Sequence, residues 1–187
     1  MLITTRRFAI RDFTPADAAA FVAYHADPRF RRRAGDAVAP SARALLDNFA
    51  AWAAERPRAN YQLAVVERNG EALVGCCGLR EVRDRAEFGI EMAPDFWGRH
   101  GVAIEIIGAM VAFGFGTLGL HEIYGVTTDS NFRAARLASW FGAVEVRRHP
   151  RSGPVGGPGS DAGVEWCITR GTWLERCDTE ERPSQLI

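Results

Sequence analysis

One stretch of the sequence, EFGIEMAPDFWGRHGVAIE at residues 87–105, carries most of the information about the architecture of this chain. Its first part completes a predicted strand over residues 85–92. A loop with a proline and two glycines follows, and the apolar segment after it predicts a long helix over residues 101–118. A strand that passes through a glycine-containing loop into a helix is typical of proteins that pack helices against a sheet.

The loop in this stretch suggests a binding site for an anion. Gly98 and Gly101 have no β-carbon, so the backbone there can approach a ligand closely. The amides and the positive end of the following helix would suit a phosphate or pyrophosphate without any lysine. The alternative is a tight strand-to-helix turn in which the Gly-x-x-Gly spacing is incidental. The residues alone leave both interpretations open.

Composition narrows the range of functions. The chain has 187 residues, 47% apolar and 25% charged, which are ordinary values for a globular protein of one domain. Basic and acidic residues number 23 each, and this zero balance argues against nucleic acid as a partner. All 23 basic residues are arginine, so a Walker lysine, a Schiff-base lysine and a pyridoxal lysine are excluded.

Further patterns bear on compartment, membranes and metals. The four cysteines form no C-x-x-C pair, which favours reduced thiols in a cytoplasmic protein. The N-terminus lacks the apolar stretch of a signal peptide, and the uncharged segment 106–120 is shorter than the roughly 20 residues of a membrane span. No spacing of histidine, cysteine and acidic residues indicates a metal. We therefore expect a cytoplasmic protein that uses neither membrane nor metal.

Periodicity and turn signals predict the remaining elements. Thr14 with Pro15 and Asp17 marks the start of a helix, and Ser41 marks the start of another. Asn69-Gly70 is a strong hairpin signal. The predicted strands are 6–13, 61–67, 72–79, 85–92, 122–128, 144–148 and 163–170, and a further helix covers 131–141. Residues 150–163 are rich in glycine and proline and predict a loop. This order indicates a mixed sheet flanked by helices.

Several stretches, in the same order, resemble motifs of the GNAT superfamily of acetyl-CoA-dependent N-acetyltransferases. The stretch 87–105 is similar to the fourth strand, pyrophosphate loop and third helix of that family. Two later stretches resemble motifs of its RimJ/RimL-type branch: FGFGTLGLHEI at 113–123, and Asn131 followed by Arg136, Leu137 and Phe141-Gly142. The resemblance covers about residues 3–170.

The resemblance implies a fold and a domain organisation. The expected fold is the GNAT-like α/β acyltransferase fold, a central mixed and mostly antiparallel sheet flanked by helices. In that family the parallel strands 4 and 5 splay apart, and here they would be residues 85–92 and 122–128. A single GNAT-like domain would cover residues 1–170, followed by a C-terminal tail at 171–187.

The resemblance also implies which residues hold the cosubstrate, acetyl-CoA, in the cleft between the splayed strands. Backbone amides near Met92 and Ala93 would hold the pantetheine and polarise the thioester carbonyl. Asn131 and Arg136 would contact the far side of the cofactor. The pyrophosphate would lie against the amides of Gly98, Arg99, His100, Gly101, Val102 and Ala103.

The reaction needs a base, because amines are mostly protonated at pH 7. Side chains alternate along a strand, which puts Glu87, Gly89 and Glu91 on one face. Glu87 stands where some members of the superfamily carry a catalytic glutamate, so it is the first candidate and Glu91 is the second. For either residue the alternative is a solvated strand carboxylate.

Two features of this sequence depart from the family pattern, and a third concerns the binding of the acceptor. His100 is an extra residue in the phosphate loop. Ala138 stands where many members place the tyrosine that acts as general acid, so the leaving thiolate must be protonated in another way or leave unassisted. The arginine run RFRRR at 29–33 lies where this fold places a substrate lip, although such runs are more often solvated.

We therefore expect an N-acetyltransferase that moves an acetyl group from acetyl-CoA to a primary amine by direct attack in a ternary complex. The acceptor would be a protein N-terminus or a small-molecule amine. A homodimer is compatible with the resemblance, since similar proteins are commonly dimers. The alternative is a non-catalytic, regulatory CoA-binding module, and a weaker one is a nucleotide-binding protein that uses the glycines at 114–119.

Overall fold

We describe a computed structural model of the chain over residues 1–34, 40–70, 72–99, 101–150 and 162–181. His100 and most of the predicted loop 150–163 lie outside these ranges. The chain divides into two compact units, which are described separately. The first comprises Met1–Val82 and Glu87–Ala112, and the second comprises Arg83–Ala86 and the chain from Phe113 onward.

The first unit contains a sheet of antiparallel neighbours. Its strands are β1 (Leu2–Thr4), β2 (Phe8–Arg11), β3 (Tyr61–Glu67), β4 (Leu73–Arg80) and β5 (Arg85–Met92), paired in that order. The predicted single strand over 6–13 is wrong in extent, because the Thr5 amide donates to the Phe8 carbonyl at 2.9 Å and turns the chain. Two short strands therefore replace one, and β1 was not predicted.

Helices of the first unit begin where the sequence places their caps. They are α1 (Ala18–Ala26), α2 (Pro28–Ala34), α3 (Ala42–Ala54) and α4 (Val102–Ala112), with 3-10 turns at Pro15–Asp17 and Pro94–Phe96. The Ser41 hydroxyl accepts the Ala44 amide at 3.2 Å, which caps α3 as predicted. The arginine run belongs to α2, an element that the sequence did not indicate.

One face of β4 and β5 is lined by polar and small residues. Directly opposite residues of antiparallel strands share a face, and the pairs here are Cys76 with Glu91, Gly78 with Gly89, and Arg80 with Glu87. The buried apolar side chains of this unit include Phe8, Ile10, Phe21, Leu63, Val74, Leu79, Ile106 and Met110. The two strands that carry this polar face are thus surrounded by an apolar core.

The described part of the second unit contains three more strands and two α-helices. They are β6 (Glu122–Thr128), α5 (Phe132–Trp140), β7 (Val144–His149), β8 (Gly163–Thr169) and α6 (Arg170–Glu181), preceded by a π-helical turn at Phe113–Thr117. β8 pairs antiparallel with both β6 and β7. Much of the predicted tail is therefore helical, because α6 begins at Arg170.

β5 starts in the second unit and continues in the first. Its first residue, Arg85, lies over the ring of Tyr124 at 4.0 Å and donates to Glu165 at 2.9 Å. The strand order is β1-β2-β3-β4-β5-β6-β8-β7. β5 and β6 are joined through α4 rather than by a hairpin, as parallel neighbours require.

The predicted class, a mixed sheet with flanking helices, is confirmed. The extent of the single domain stays a prediction. No helix within the described ranges is long and apolar enough to cross a bilayer.

Candidate active site

The loop after β5 is held by one backbone and one side-chain hydrogen bond. The Ala93 amide donates to the Val74 carbonyl at 2.8 Å, and the Trp97 indole N–H donates to the Met92 carbonyl at 2.8 Å. Successive amides of a strand point to opposite edges, so the Met92 N–H is directed away from β4. Of the two predicted contacts to the thioester region, the Ala93 amide is already engaged, and the role of Met92 stays a prediction.

The backbone between Met92 and α4 has the form that an anion site requires. Gly98 and Gly101 have φ angles of +75° and +70°, which residues with a β-carbon rarely adopt. A β-carbon at Gly98 would have no atom within 4 Å, so the backbone there borders open space. The first α-helical hydrogen bond runs from Glu105 to Gly101, at 3.0 Å. The Arg99 and Val102 amides already donate to the Phe96 and Arg99 carbonyls, at 3.4 and 3.5 Å, so these two predicted donors are engaged. Gly98 and Gly101 suit a close approach of a pyrophosphate, whereas the binding roles of residues 98–103 stay predictions.

Arginine supplies the positive charge that lysine cannot supply in this chain. The Arg7 guanidinium would lie 3.3 Å from a β-carbon at Gly101. Arg99, in the loop itself, is exposed and stacks its guanidinium over Phe96 at 4.5 Å. Sequence reasoning missed Arg7, because it is far from the loop along the chain and nothing near it signals a role.

Glu105 anchors Arg7 beside the loop. Its carboxylate accepts the Arg7 amide at 2.8 Å and the Arg7 guanidinium at 2.6 Å. Burial opposes ionisation of this carboxyl, but hydrogen bonds from Arg7 and Thr5 outweigh it and lower the pKa of Glu105 below its ordinary value. Glu105, in the first turn of α4, thus bonds the N-terminal segment of the chain.

Glu87, the first candidate base, is paired with an arginine. The Arg80 guanidinium donates to its carboxylate at 3.2 Å, and the Glu87 side chain is 33% exposed. The same guanidinium extends over Gly89, where a β-carbon would lie 2.9 Å from an Arg80 nitrogen. Glu87 is therefore held as the anionic partner of a permanent cation.

Glu91, the second candidate, lies in a different environment. Its Oε1 atom accepts the Tyr24 hydroxyl at 2.6 Å and contacts His25 Nε2 at 2.8 Å. The Cys76 thiol lies 3.9 Å from the same oxygen. The Glu91 side chain is 35% exposed. Sequence reasoning missed Tyr24 and His25, which α1 brings to β5 from far away along the chain.

The arginine run does not offer all of its charges to a substrate. Arg29 donates to Asp27 and to Asp95, both at 2.7 Å. It therefore ties α2 to the turn that precedes the glycine loop, while its side chain stays 48% exposed. The predicted role of this run as a substrate lip stays a prediction.

The two remaining predicted cofactor contacts belong to the second unit. Asn131 caps α5, because its side-chain oxygen accepts the Ala134 amide at 3.3 Å and its amide nitrogen donates to Thr127 at 3.0 Å. Arg136 is exposed on α5. Their role towards a cofactor stays a prediction, and so does the consequence of Ala138, which also lies on α5.

The glycines at 114–119 have the form of a helix end. Residues Phe113–Thr117 form a π-helical turn that precedes β6, whereas a dinucleotide fingerprint must follow a strand and open a helix. The interpretation as helix-end glycines is thus confirmed. Across the described ranges, no three His, Cys, Asp or Glu side chains are grouped so that they could hold a metal ion.

Comparison with known proteins gives a consistent picture. Residues 7–144 match the model of the acetyltransferase (GNAT) domain family. The chain is 31% identical over 142 residues to the protein named uncharacterized N-acetyltransferase YoaA of Bacillus subtilis (strain 168), covering 73% of this chain and 78% of that protein.

Two solved structures illustrate the similarity of fold. The ribosomal-protein-S5-alanine acetyltransferase of Vibrio fischeri superposes with a TM-score of 0.76 at 12% identity, over 92% of this chain and 98% of that one. The spermidine N-acetyltransferase of Vibrio cholerae, in complex with CoA and spermine, gives 0.75 at 19% identity, over 91% and 99%. The family match covers most of the chain and includes β5, the glycine loop and α4, so this protein belongs to the GNAT acetyltransferase family.

Proposed function

We propose that this protein is an acetyl-CoA-dependent N-acetyltransferase of the RimJ/RimL-type branch, which acetylates a primary amine in a ternary complex. The observation that carries the proposal is the pair Gly98 and Gly101, both at positive φ between β5 and the start of α4. Acetyl-CoA would supply the acetyl group as an activated thioester. The catalytic task left to the chain is to hold that thioester, orient the amine and move protons.

The glycine loop and the end of β5 would divide the binding of the cosubstrate. Amides of Gly98, Gly101 and Ala103 would face the pyrophosphate, with Arg7 and Arg99 supplying charge. The Met92 amide, directed away from β4, would donate to the thioester carbonyl and stabilise the charge that develops there. Removing one such donor typically costs about 100-fold or more in turnover.

Two carboxylates are available for the proton of the amine. Glu87 and Glu91 share a face of β5, and both remain partly exposed. The ion pair with Arg80 favours an electrostatic role for Glu87, such as attracting a cationic amine. Among the residues that the structure describes, Glu91 contacts the Tyr24 hydroxyl, the Cys76 thiol and His25 but no arginine, which favours it as the proton acceptor. A positioned base of this kind contributes about 10²–10⁴-fold.

The acceptor belongs to one of two classes. The similar fold of a ribosomal-protein-S5-alanine acetyltransferase supports a protein N-terminus, and that of a spermidine acetyltransferase supports a small amine. We further propose that the protein acts in the cytoplasm, in keeping with the buried thiols of Cys76, Cys77 and Cys167, and that it forms a homodimer, which sedimentation would reveal as a two-chain mass.

The proposal is tested by a panel of acceptors. Purified protein would be incubated with acetyl-CoA and, separately, with spermidine, an aminoglycoside and a peptide that begins with alanine. We expect acetylated product by mass spectrometry and a stoichiometric release of CoA thiol for at least one of them. CoA binding without transfer to any amine would instead favour the non-catalytic module.

A further inference from the structure

A cluster of side chains around Glu91 holds this carboxylate by one oxygen only. Tyr24, His25 and Cys76 all approach Oε1, at 2.6, 2.8 and 3.9 Å. Among the residues that the structure describes, no donor lies within hydrogen-bond range of the other oxygen, Oε2. The carboxylate therefore has one saturated atom and one available atom.

Two groups of the cluster, the Tyr24 hydroxyl and the Cys76 thiol, keep their protons. The Tyr24 hydroxyl donates to Oε1 of Glu91, and His25 can donate to the same oxygen from Nε2. Burial, with smaller effects from Cys76 and Glu91, raises the pKa of Tyr24 far above its usual range. Burial is also the main reason that the pKa of Cys76 rises to about 12. Both groups therefore stay protonated at physiological pH.

The two donors, Tyr24 and His25, are closely packed, whereas the acceptor, Glu91, is more exposed. Tyr24 is 7% exposed, and the His25 side chain is 16% exposed against 35% for Glu91. The His25 ring lies 4.3 Å from the ring of Phe21 and 4.7 Å from that of Phe30. Tyr24 and His25 are neighbours in α1, and both contact the same carboxylate oxygen, Oε1 of Glu91.

We propose that Tyr24 and His25 are positioning residues that hold Oε1 of Glu91, so that Oε2 takes a proton from the acceptor amine. The inference rests on the proposed function and deepens it. An N–H bond of the ammonium group breaks, an O–H bond forms at Oε2, and the nitrogen keeps the electron pair with which it forms the new bond to the acetyl carbon. As the C–S bond breaks, the second proton of the nitrogen passes to sulfur, directly or through water.

The surroundings of Glu91 distinguish it from the other carboxylate of this face. The groups that face Glu91 are Tyr24 and His25 from α1 and Cys76 from β4. Farther along the same face, Arg80 and Glu87 pair with each other. Within the described part of the chain, Glu91 thus receives hydrogen bonds without an ion pair to arginine, and no donor occupies its second oxygen.

A double-mutant cycle tests the proposal. Steady-state constants would be measured for Tyr24→Phe, His25→Phe and His25→Gln, each alone and combined with Glu91→Gln, on whichever amine of the panel the wild type acetylates fastest. We expect Tyr24→Phe and His25→Phe each to lower kcat/KM for the amine about 10- to 100-fold, as expected for lost hydrogen bonds to a charged group. The KM for acetyl-CoA should change less than about twofold.

Two features of the cycle separate positioning from a purely structural effect. In the Glu91→Gln background, neither substitution should lower the rate further, because residues that act through one group are not additive. His25→Gln keeps an N–H donor near the position of Nε2 and should retain most of the activity. Tyr61→Phe, on the opposite face of β3, and His121→Asn, on the exposed turn before β6, are matched controls and should keep full activity.

The outcomes of these experiments test the positioning role and the proposed function separately. Additive losses in the Glu91→Gln background, or an equal loss in His25→Gln and His25→Phe, would overturn the positioning role while leaving the acetyltransferase activity intact. A wild type that binds CoA but acetylates no amine in the panel would overturn the proposed function, and the positioning role with it.

Discussion

Asp17 shows how one buried carboxylate supports the helix that carries Tyr24 and His25. It is 6% exposed and accepts hydrogen bonds from Arg11, at 2.7 and 2.9 Å, and from the Thr14 amide at 2.7 Å. Burial opposes its ionisation, but these bonds outweigh burial and lower the pKa of Asp17 below the ordinary 3.8. The pattern Thr14-Pro15-Ala16-Asp17 predicted this helix start, whereas the contact with Arg11 depends on the fold of β2.

Asp17→Asn should lower the free energy of unfolding at pH 7 by about 2–3 kcal/mol, since charge-assisted bonds to a buried group are lost. A carboxyl with a lowered folded pKa stabilises the protein above its unfolded pKa, and this contribution disappears as the pH falls through the folded pKa. The gap between wild type and variant should therefore narrow below about pH 4. Urea denaturation at several pH values checks this, and a gap that widens in acid would contradict it.

At the scale of elements, β4 and its neighbours show which features a local pattern predicts and which depend on contacts between strands. The hairpin from Tyr61 onward was predicted from alternation and from Asn69-Gly70, and β3 and β5 have the predicted bounds. No local pattern of residues singles out Gly75, because its constraint comes from β5. With φ at +154°, Gly75 lies so close to β5 that a β-carbon would be 2.1 Å from the Glu91 carbonyl oxygen.

Gly75→Ala should destabilise the protein by about 3 kcal/mol, because backbone atoms of β5 would have to move. Gly70→Ala is the matched control: a β-carbon there meets only the end of the Glu67 side chain, at 3.9 Å. Chemical denaturation of the two variants measures the difference. Equal stability of both would show that β4 and β5 do not approach each other as described.

Across the whole molecule, local signals predicted most elements and the family, while the site depends on contacts between distant residues. The strand over 85–92, the glycine loop and the following helix could be predicted because each has a local pattern. Glu105 with Arg7, and Glu91 with Tyr24 and His25, are separated by 98, 67 and 66 positions. No periodicity within one sequence encodes such pairs, so the sequence could rank Glu87 before Glu91 only by resemblance to the family.

We propose that the backbone of the glycine loop binds the pyrophosphate of CoA. Titrating CoA into the variants Gly98→Ala and Gly119→Ala measures this binding. Both glycines have φ between +70° and +75°, and a β-carbon at either would have no atom within 4 Å. The two substitutions therefore impose similar backbone strain, but only Gly98 lies in the loop.

By calorimetry, we expect Gly98→Ala to weaken CoA binding at least tenfold and Gly119→Ala to bind CoA as the wild type does. Equal affinity of the two variants for CoA would show that the backbone of the glycine loop does not bind the pyrophosphate.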